Sequence, residues 1–173
     1  MSPADGIVIR RARTSDVRRI RELIDLCPGR LLSKPPVKLY EDVQEFVIAE
    51  VEGAVVGCGA LHVMWEDIAE VRTVSVDPEA KGHGVGSKIL RALMQRARHL
   101  GVQRLFCLTF ETEFFKAHGF HEIADTAVDK DTYDALLQSY DEGIAEFLDL
   151  EQVKPNTLGN TRMICHLEPA AHL

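Results

Sequence analysis

The stretch that decides the fold is VSVDPEAKGHGVGSKIL, residues 74–90. An alternating apolar run passes through Asp77-Pro78 into a turn with three glycines, Gly82, Gly84 and Gly86, and a helical pattern follows. Such a turn can hold an anion, because the first N–H groups of the helix point outward and the helix dipole favours negative charge. Glycine also lets a phosphate approach the backbone and permits positive φ. The stretch therefore predicts a phosphate site, with a plain strand-to-helix turn as the alternative.

Two common phosphate motifs do not fit this turn. The dinucleotide-binding fingerprint requires G-x-G-x-x-G, and here the third glycine, Gly86, comes one residue early. The other phosphate loop requires G-x-x-x-x-G-K-[ST], whereas Gly86-Ser87-Lys88 reverses the order of the last two members. If residues 82–88 bind a phosphate, they therefore do so as part of another type of glycine-rich turn.

Strand and helix patterns alternate on both sides of the turn. Apolar alternation predicts strands at 6–12, 69–77, 102–110, 120–123 and 161–167, and a hairpin over 46–64 that turns at Glu52-Gly53. Helical spacing predicts helices at 14–27 with Thr14 as N-cap, at 39–46, from the glycine turn to a C-cap at Gly101, at 111–119 and at 129–147. Residues 27–38 and 154–160 are predicted loops. This interleaving predicts one α/β domain, residues 1–173.

Composition limits the class of protein. The chain is 46% hydrophobic with a mean hydropathy of -0.07, and it has neither a membrane-span pattern nor a signal-peptide pattern, so a cytoplasmic location is expected. A formal net charge of -7 argues against nucleic acid or an anionic membrane as the partner. The four cysteines are scattered, and Cys58 and Cys107 are predicted to be buried core residues rather than metal ligands or disulfide partners.

The glycine turn resembles the acetyl-CoA loop of the GNAT acetyltransferase superfamily. Its usual form, V-x-V-x-P followed by [RQ]-x-x-G-x-[GA] and a helix, is met by residues 74–78 and by Lys81 to Gly86, with lysine in place of arginine or glutamine. A later family motif, [YF]-x-x-x-G-[FY], is met by Phe115 to Phe120. The likeness covers Ile7 to Ile123 and the last strand. It implies a central mixed, splayed β-sheet flanked by helices.

The resemblance implies acetyl-CoA as the cosubstrate and no metal. The pyrophosphate would lie on the glycine turn, the pantetheine arm along the preceding strand, and the acetyl carbonyl at a backbone N–H near Val74. The cofactor-binding residues carried over are Val74, Ser75, Val76, Lys81, Gly82, His83, Gly84, Val85, Gly86, Ser87 and Phe115.

Acetyl transfer needs a base, because an alkyl ammonium with a pKa of about 8 to 10 is mostly protonated at pH 7. Glu70 opens the strand that leads to Val74 and is the predicted base, with a solvated strand-end glutamate as the alternative. Many family members protonate the leaving thiolate with a tyrosine at the position of Phe115, which has no proton to give.

A phenylalanine there resembles the acetyltransferase domain of N-acetylglutamate synthases, in particular the short single-domain form of actinobacteria. That subgroup reads L-[ST]-x-x-x-x-x-[WF]-F-x-x-x-G-F, and residues 108–120 resemble it with four residues instead of five between Thr109 and Phe114. The resemblance implies that Thr109 orients the catalytic water or the substrate, with strand packing as its alternative role. It implies substrate contacts from Leu108 and, for the carboxylates, from Lys38 and Arg162; Arg72, near Glu70, stays a further candidate.

The function expected from the resemblance is acetylation of the α-amine of L-glutamate, or of L-glutamine, as the first step of arginine biosynthesis. The alternatives are an acetyltransferase for another amine, such as a polyamine, an antibiotic or a protein N-terminus, and a CoA-binding sensor without turnover. Superfamily members are often dimers, so a homodimer is one expected form.

Overall fold

The structure is a computed structural model that describes residues 6–27, 34–124, 127–141, 144, 147–148 and 160–169. The strands are β1 Ile7–Arg11, β2 Phe46–Val51, β3 Ala54–Val63, β4 Ile68–Val76, β5 Arg104–Thr109, β6 His121–Glu122 and β7 Thr161–His166. The α-helices are α1 Val17–Asp25, α2 Pro36–Glu41, α3 Val85–His99, α4 Thr112–Lys116 and α5 Lys130–Leu136, and short 3-10 helices cover Thr14–Asp16, Val43–Glu45 and Pro78–Ala80. Among these described residues, no helix is long and apolar enough to cross a membrane.

The strands of the described residues form one seven-stranded mixed sheet in the order β1-β2-β3-β4-β5-β7-β6. β1 with β2, β2 with β3, β5 with β7 and β6 with β7 are antiparallel. β4 and β5 are parallel, with Ile68 to Glu70 opposite Arg104 to Phe106. The predicted α/β class with a mixed sheet is therefore confirmed, while the predicted splay beyond Glu70 stays a prediction.

The described chain divides into two compact units. The first is formed within residues 1–62 and 71–96, and the second within 63–70 and 97–173. In the first unit, one face of β2 and β3 packs against α1 and α2 through a buried core of Val17, Ile20, Leu23, Ile24, Leu39, Phe46, Ile48, Cys58 and Ala60. Helix α1 therefore buries one apolar face, formed by Val17, Ile20 and Ile24 together with Leu23.

The core of the second unit lies on one face of β4, β5 and β7. It consists of Met64, Ile68, Phe106, Leu136, Ile144, Phe147, Leu148 and Ile164. The ring of Phe147 meets that of Phe106 edge-on, with centroids 4.9 Å apart. Cys58 and Cys107 are buried as predicted, and all four cysteines are free.

The turn predictions have mixed outcomes. Glu52 and Gly53 have φ of 51° and 81°, which matches the predicted two-residue hairpin, and Gly101, with φ 85°, ends α3 as predicted. Thr14 is not the N-cap: it lies inside a 3-10 helix, and the carboxylate of Asp16 accepts the Arg13 N–H instead.

The other helix predictions differ from the structure in their limits. The second helix begins at Pro36, because proline suits the first turn of a helix, rather than at residue 39. Most of the predicted loop at 154–160, and residues 28–33 of the first loop, lie outside the described residues.

Candidate functional site

The predicted phosphate turn has an open backbone and leads directly into α3. Gly82 and Gly84 have φ of 85° and 82°, and a Cβ added to either would meet no atom within 4 Å. The first intrahelical hydrogen bond runs from Lys88 N–H to the Gly84 carbonyl, 3.1 Å. The N–H groups of Val85 to Ser87 precede Lys88, the first donor bonded within the helix, so they have no acceptor of the helix's own and point out of its end. This geometry suits a phosphate.

Asp77 anchors the turn in the first unit. Its N–H donates to the Val56 carbonyl at 2.8 Å, and its carboxylate accepts the Glu79 N–H at 3.0 Å and the Arg19 guanidinium at 2.8 Å. The Glu79 N–H first, and the guanidinium second, hold the pKa of Asp77 below its usual value. Sequence reasoning missed Arg19, because nothing in a helical run of arginines distinguishes the one that faces Asp77.

Two glycines of β3 let α3 approach the sheet. A Cβ on Gly57 would lie 2.8 Å from Ile89 Cδ1 and 3.0 Å from a methyl of Val85. A Cβ on Gly59 would lie 2.7 Å from Ile89 Cγ2 and 3.1 Å from Leu93 Cδ1. Since contacts under 3.0 Å force a displacement, these glycines set the depth at which the start of α3 rests on the sheet.

The predicted cofactor strand contains a strained residue. Thr73 has φ 58°, and a β-branched residue in that region is an outlier that costs on the order of 1–3 kcal/mol. The carbonyl of Thr73 accepts the Cys58 thiol at 3.5 Å. Ser75 is buried, and its hydroxyl donates to the Leu23 carbonyl of α1 at 2.8 Å. Its side chain thus belongs to the core, so a contact with the cofactor would come from its backbone.

Glu70 lies in the second unit and is 6% exposed. The alternative reading of Glu70 as a solvated strand-end residue is therefore wrong. It pairs with Phe106 in register, so the two side chains share one sheet face. Burial raises the pKa of the Cys107 thiol on β5, and the carboxylate of Glu70 raises it further.

Arg162 and Leu108 lie on the same face as Glu70. They are partners in the β5–β7 register, one row beyond Phe106 and on its side of the sheet. The guanidinium carbon of Arg162 is 5.7 Å from the centroid of the Phe106 ring, and Nη2 donates to the Phe147 carbonyl. The second unit therefore brings together the predicted base and two of the predicted substrate residues.

Thr109 lies on the opposite face. It follows Leu108 in β5, where successive side chains alternate, and it pairs with Thr161. Its hydroxyl accepts the Glu111 N–H at 2.8 Å, which shapes the turn into α4. The Thr109 hydroxyl is therefore engaged by the Glu111 N–H of the following turn. Its role in orienting the catalytic water or the substrate stays a prediction.

The remaining predicted residues are distributed over both units. Lys38 Nζ contacts Asp42 Oδ1 at 3.2 Å within the region of α2, and Arg72 is half-buried on β4 of the first unit. Lys81 and His83 are exposed in the glycine turn. Phe115 is buried in the second unit, with its ring centroid 5.1 Å from that of Phe120.

Three comparisons with known proteins bear on this arrangement. The model of the acetyltransferase (GNAT) family matches residues 17–124. The chain is 58% identical over 161 residues to an amino-acid acetyltransferase of Mycobacterium tuberculosis, covering 91% of this chain and 92% of that protein. It also resembles a solved Mycobacterium tuberculosis protein in complex with CoA, with 56% identity and a TM-score of 0.89 over 93% of this chain and 99% of that one.

A more distant structure extends the comparison. N-acetylglutamate synthase of Neisseria gonorrhoeae, complexed with coenzyme A and N-acetyl-glutamate, shares 26% identity and a TM-score of 0.74 over 94% of this chain and 35% of that one. The mixed sheet, with a glycine turn that leads into α3, is shared with these acetyltransferases. The protein is therefore an acetyl-CoA-dependent N-acetyltransferase. The chain belongs to the acetyltransferase (GNAT) family. The predicted family, fold and class of enzyme are confirmed.

Proposed function

We propose that this protein transfers the acetyl group of acetyl-CoA to the α-amine of L-glutamate, with L-glutamine as the neighbouring choice. The observation that carries the proposal is the buried sheet face shared by Glu70 and Arg162. A base and a bidentate cation on one face suit a substrate that has both an amine and a carboxylate. The similarity to an amino-acid acetyltransferase supports an amino acid as the acceptor. The similarity to N-acetylglutamate synthase supports a role in arginine biosynthesis.

The cofactor is held by the first unit. The N–H groups of Val85 to Ser87 and the glycine turn bind the pyrophosphate, because charge-assisted hydrogen bonds form where the helix has no acceptors of its own. The backbone of Val74 to Val76 pairs with the pantetheine arm, and an N–H near Val74 stabilises the oxyanion of the adduct. CoA in the similar solved structure supports the same cosubstrate here.

Glu70 acts as the base through water, and Arg162 holds a carboxylate of the acceptor. The acceptor ammonium gives one proton through water to Glu70, and its nitrogen attacks the thioester carbon. As the adduct collapses, the carbon–sulfur bond breaks, and the second nitrogen proton passes through water to the departing sulfur, which leaves as the CoA thiol. Leu108 borders the acceptor, while Lys38 and Arg72 are proposed for the second carboxylate. Thr109 and Phe115 keep their predicted roles as proposals.

A panel of acceptors tests the function. Release of CoA thiol is measured with L-glutamate, L-glutamine, D-glutamate, spermidine and a peptide N-terminus, and L-glutamate or L-glutamine is expected to have the highest kcat/KM. A preference for spermidine or the peptide would instead support an acetyltransferase for another amine. Thiol release with none of these amines, together with tight CoA binding, would support a sensor.

Arg162→Lys tests how the carboxylate is bound. Lysine keeps the charge but loses the planar fork, so the KM for the amino acid is expected to rise about 10-fold while the KM for acetyl-CoA stays unchanged. Arg98→Lys, on α3, is the control. An unchanged KM for the amino acid would remove Arg162 from the substrate site.

The predicted single domain 1–173, the homodimer and the cytoplasmic location also stay predictions. Sedimentation equilibrium measures the molar mass in solution and so tests the homodimer directly.

A further inference from the structure

The guanidinium of Arg19, on α1, joins three parts of the first unit. Nε donates to the Val55 carbonyl of β3 at 2.9 Å, and Nη2 donates to Oδ2 of Asp77 at 2.8 Å. Nη1 donates to Oε2 of Glu22, further along α1, at 3.1 Å. Because the guanidinium is planar, these three bonds fix its orientation. Arg19 thus ties α1 to β3 and to the residue that follows β4.

Asp77 lies where the chain leaves β4 for the glycine turn. Its N–H donates to the Val56 carbonyl, next along β3 after the carbonyl that Arg19 binds. Its Oδ1 accepts the Glu79 N–H at 3.0 Å, and its backbone carbonyl accepts the Ala80 N–H at 2.8 Å. Both of these bonds belong to the short 3-10 helix that precedes the glycine turn. The orientation of Asp77 therefore sets the direction in which the chain enters that turn.

The negative charge of Asp77 is close in the chain to the proposed anion site. Asp77 lies five positions before Gly82, in the turn where the proposed function places the pyrophosphate of CoA. An uncompensated carboxylate here would repel the pyrophosphate, which is itself negatively charged. The Arg19 guanidinium, 2.8 Å away, offsets the charge, and its hydrogen bond with Asp77 raises the pKa of Arg19. The ion pair thus keeps a turn-forming aspartate compatible with a bound phosphate.

We propose that Arg19 is a positioning residue for acetyl-CoA. It holds Asp77 in the orientation that forms the glycine turn, and it neutralises the Asp77 carboxylate near the bound pyrophosphate. Arg19 acts through Asp77 rather than on the reacting atoms. The inference rests on the proposed place of the pyrophosphate in the glycine turn, but it does not depend on which amine is acetylated.

Arg19→Gln tests the inference through the binding of CoA, which needs no acceptor. The matched control is Arg21→Gln, because Arg21 is exposed on the same helix and its replacement changes the net charge equally. Calorimetric titration should give a Kd for CoA about 10-fold higher for Arg19→Gln, the loss expected for one charge-assisted contact, and an unchanged Kd for the control. The KM for acetyl-CoA should rise with the Kd, while kcat and the KM for the amino acid stay within twofold of the wild type.

A second substitution separates the electrostatic role of Arg19 from its packing. Asp77→Asn keeps an oxygen that can accept the Glu79 N–H, but it removes the negative charge. In the Asp77→Asn background, Arg19→Gln should raise the Kd for CoA by less than about threefold, because no unpaired carboxylate is left near the pyrophosphate. A loss of packing alone would be equally large in both backgrounds. Arg19→Lys keeps the cation without the planar fork, so it should raise the Kd by a smaller factor, and it replaces Arg19→Gln in both comparisons if that variant does not fold.

Two results would overturn the inference. One is a Kd for CoA of Arg19→Gln within twofold of the wild type, and the other is an equal rise in the two backgrounds. The proposed place of the pyrophosphate fails separately, when Gly84→Val, with a side chain in the glycine turn, leaves the Kd for CoA unchanged. The proposed acceptor also fails separately, when the wild-type protein binds CoA but releases no thiol with L-glutamate or L-glutamine.

Discussion

Gly59→Ala tests whether the glycines of β3 set the position of α3. The added methyl would lie 2.7 Å from Ile89 Cγ2, 3.1 Å from Leu93 Cδ1 and 3.3 Å from Val74 Cγ2. Cγ2 is bonded directly to Cβ, so no rotation of the end of a flexible side chain relieves the closest contact. Helix α3 must move outward, or the rotamer of Ile89 must change.

The expected magnitude combines two opposite terms. Overpacking a core costs about 1–3 kcal/mol. Replacing glycine by alanine recovers about 0.4–1 kcal/mol by restricting the unfolded chain. At the midpoints of these two ranges, the net loss in the free energy of unfolding is about 1.3 kcal/mol. If the displaced helix also loses one charge-assisted hydrogen bond to phosphate, worth about 1.5 kcal/mol, the Kd for CoA rises about 10-fold.

Two measurements check this reasoning. Urea unfolding reports the free energy of unfolding, and calorimetric titration with CoA reports the Kd. Gly6→Ala is the control, because a Cβ there meets nothing within 4 Å and its backbone has no positive φ. Unfolding and CoA affinity of Gly59→Ala equal to those of the wild type would refute the claim that this close approach positions the phosphate turn.

Three other changes have distinct expected results. Glu70→Gln should lower kcat at pH 7 by about 100-fold or more, with partial recovery at high pH where the amine is free; an unchanged pH profile would remove Glu70 as the base. Gly84→Val and Gly53→Val both place valine at positive φ in open space, so both should lose stability, but only Gly84→Val should weaken CoA binding in a titration. Asp16→Asn should reduce stability at pH 7, because the hydrogen bond from Arg10 lowers the pKa of Asp16 below 3.8. The Asp16 carboxylate therefore stabilises the fold above about pH 4, and that stabilisation is lost as the pH falls through the folded-state pKa. The variant should lose less stability between pH 4 and 2 than the wild type in acid titrations, and Asp25→Asn, on the exposed surface of α1, should lose as much as the wild type.

Local features were predictable because their causes are local. The hairpin at Glu52-Gly53, the end of α3 at Gly101 and the start of α3 in the glycine turn each depend on the backbone preferences of a few neighbouring residues. The N-cap of the first helix was not predicted, because it depends on a residue outside the first turn of that helix. Thr14 and Asp16 are both capping residues, and the choice between them depends on the distant guanidinium of Arg10, which binds Asp16.

Residues of the candidate site could be named from the sequence, but their grouping could not. The burial of Glu70 and its place on one face with Arg162 depend on the registers of β4 with β5 and of β5 with β7. The same registers put Thr109 on the other face, although it is adjacent to Leu108 in the sequence. The hydrogen bond between Nδ1 of His62 and Oε1 of Glu45 had no sequence signal, because the two residues are 17 positions apart and belong to no motif.

The sequence by itself determined the cofactor turn and the family, because a phosphate turn is built from consecutive residues whose backbone conformation they themselves dictate. Only the tertiary structure decided how deeply α3 rests on Gly57 and Gly59, that Thr73 adopts a positive φ, and which side chains meet on a sheet face. These features arise where strands distant in sequence pair and pack. Their energy comes from contacts that do not exist until the whole sheet has formed.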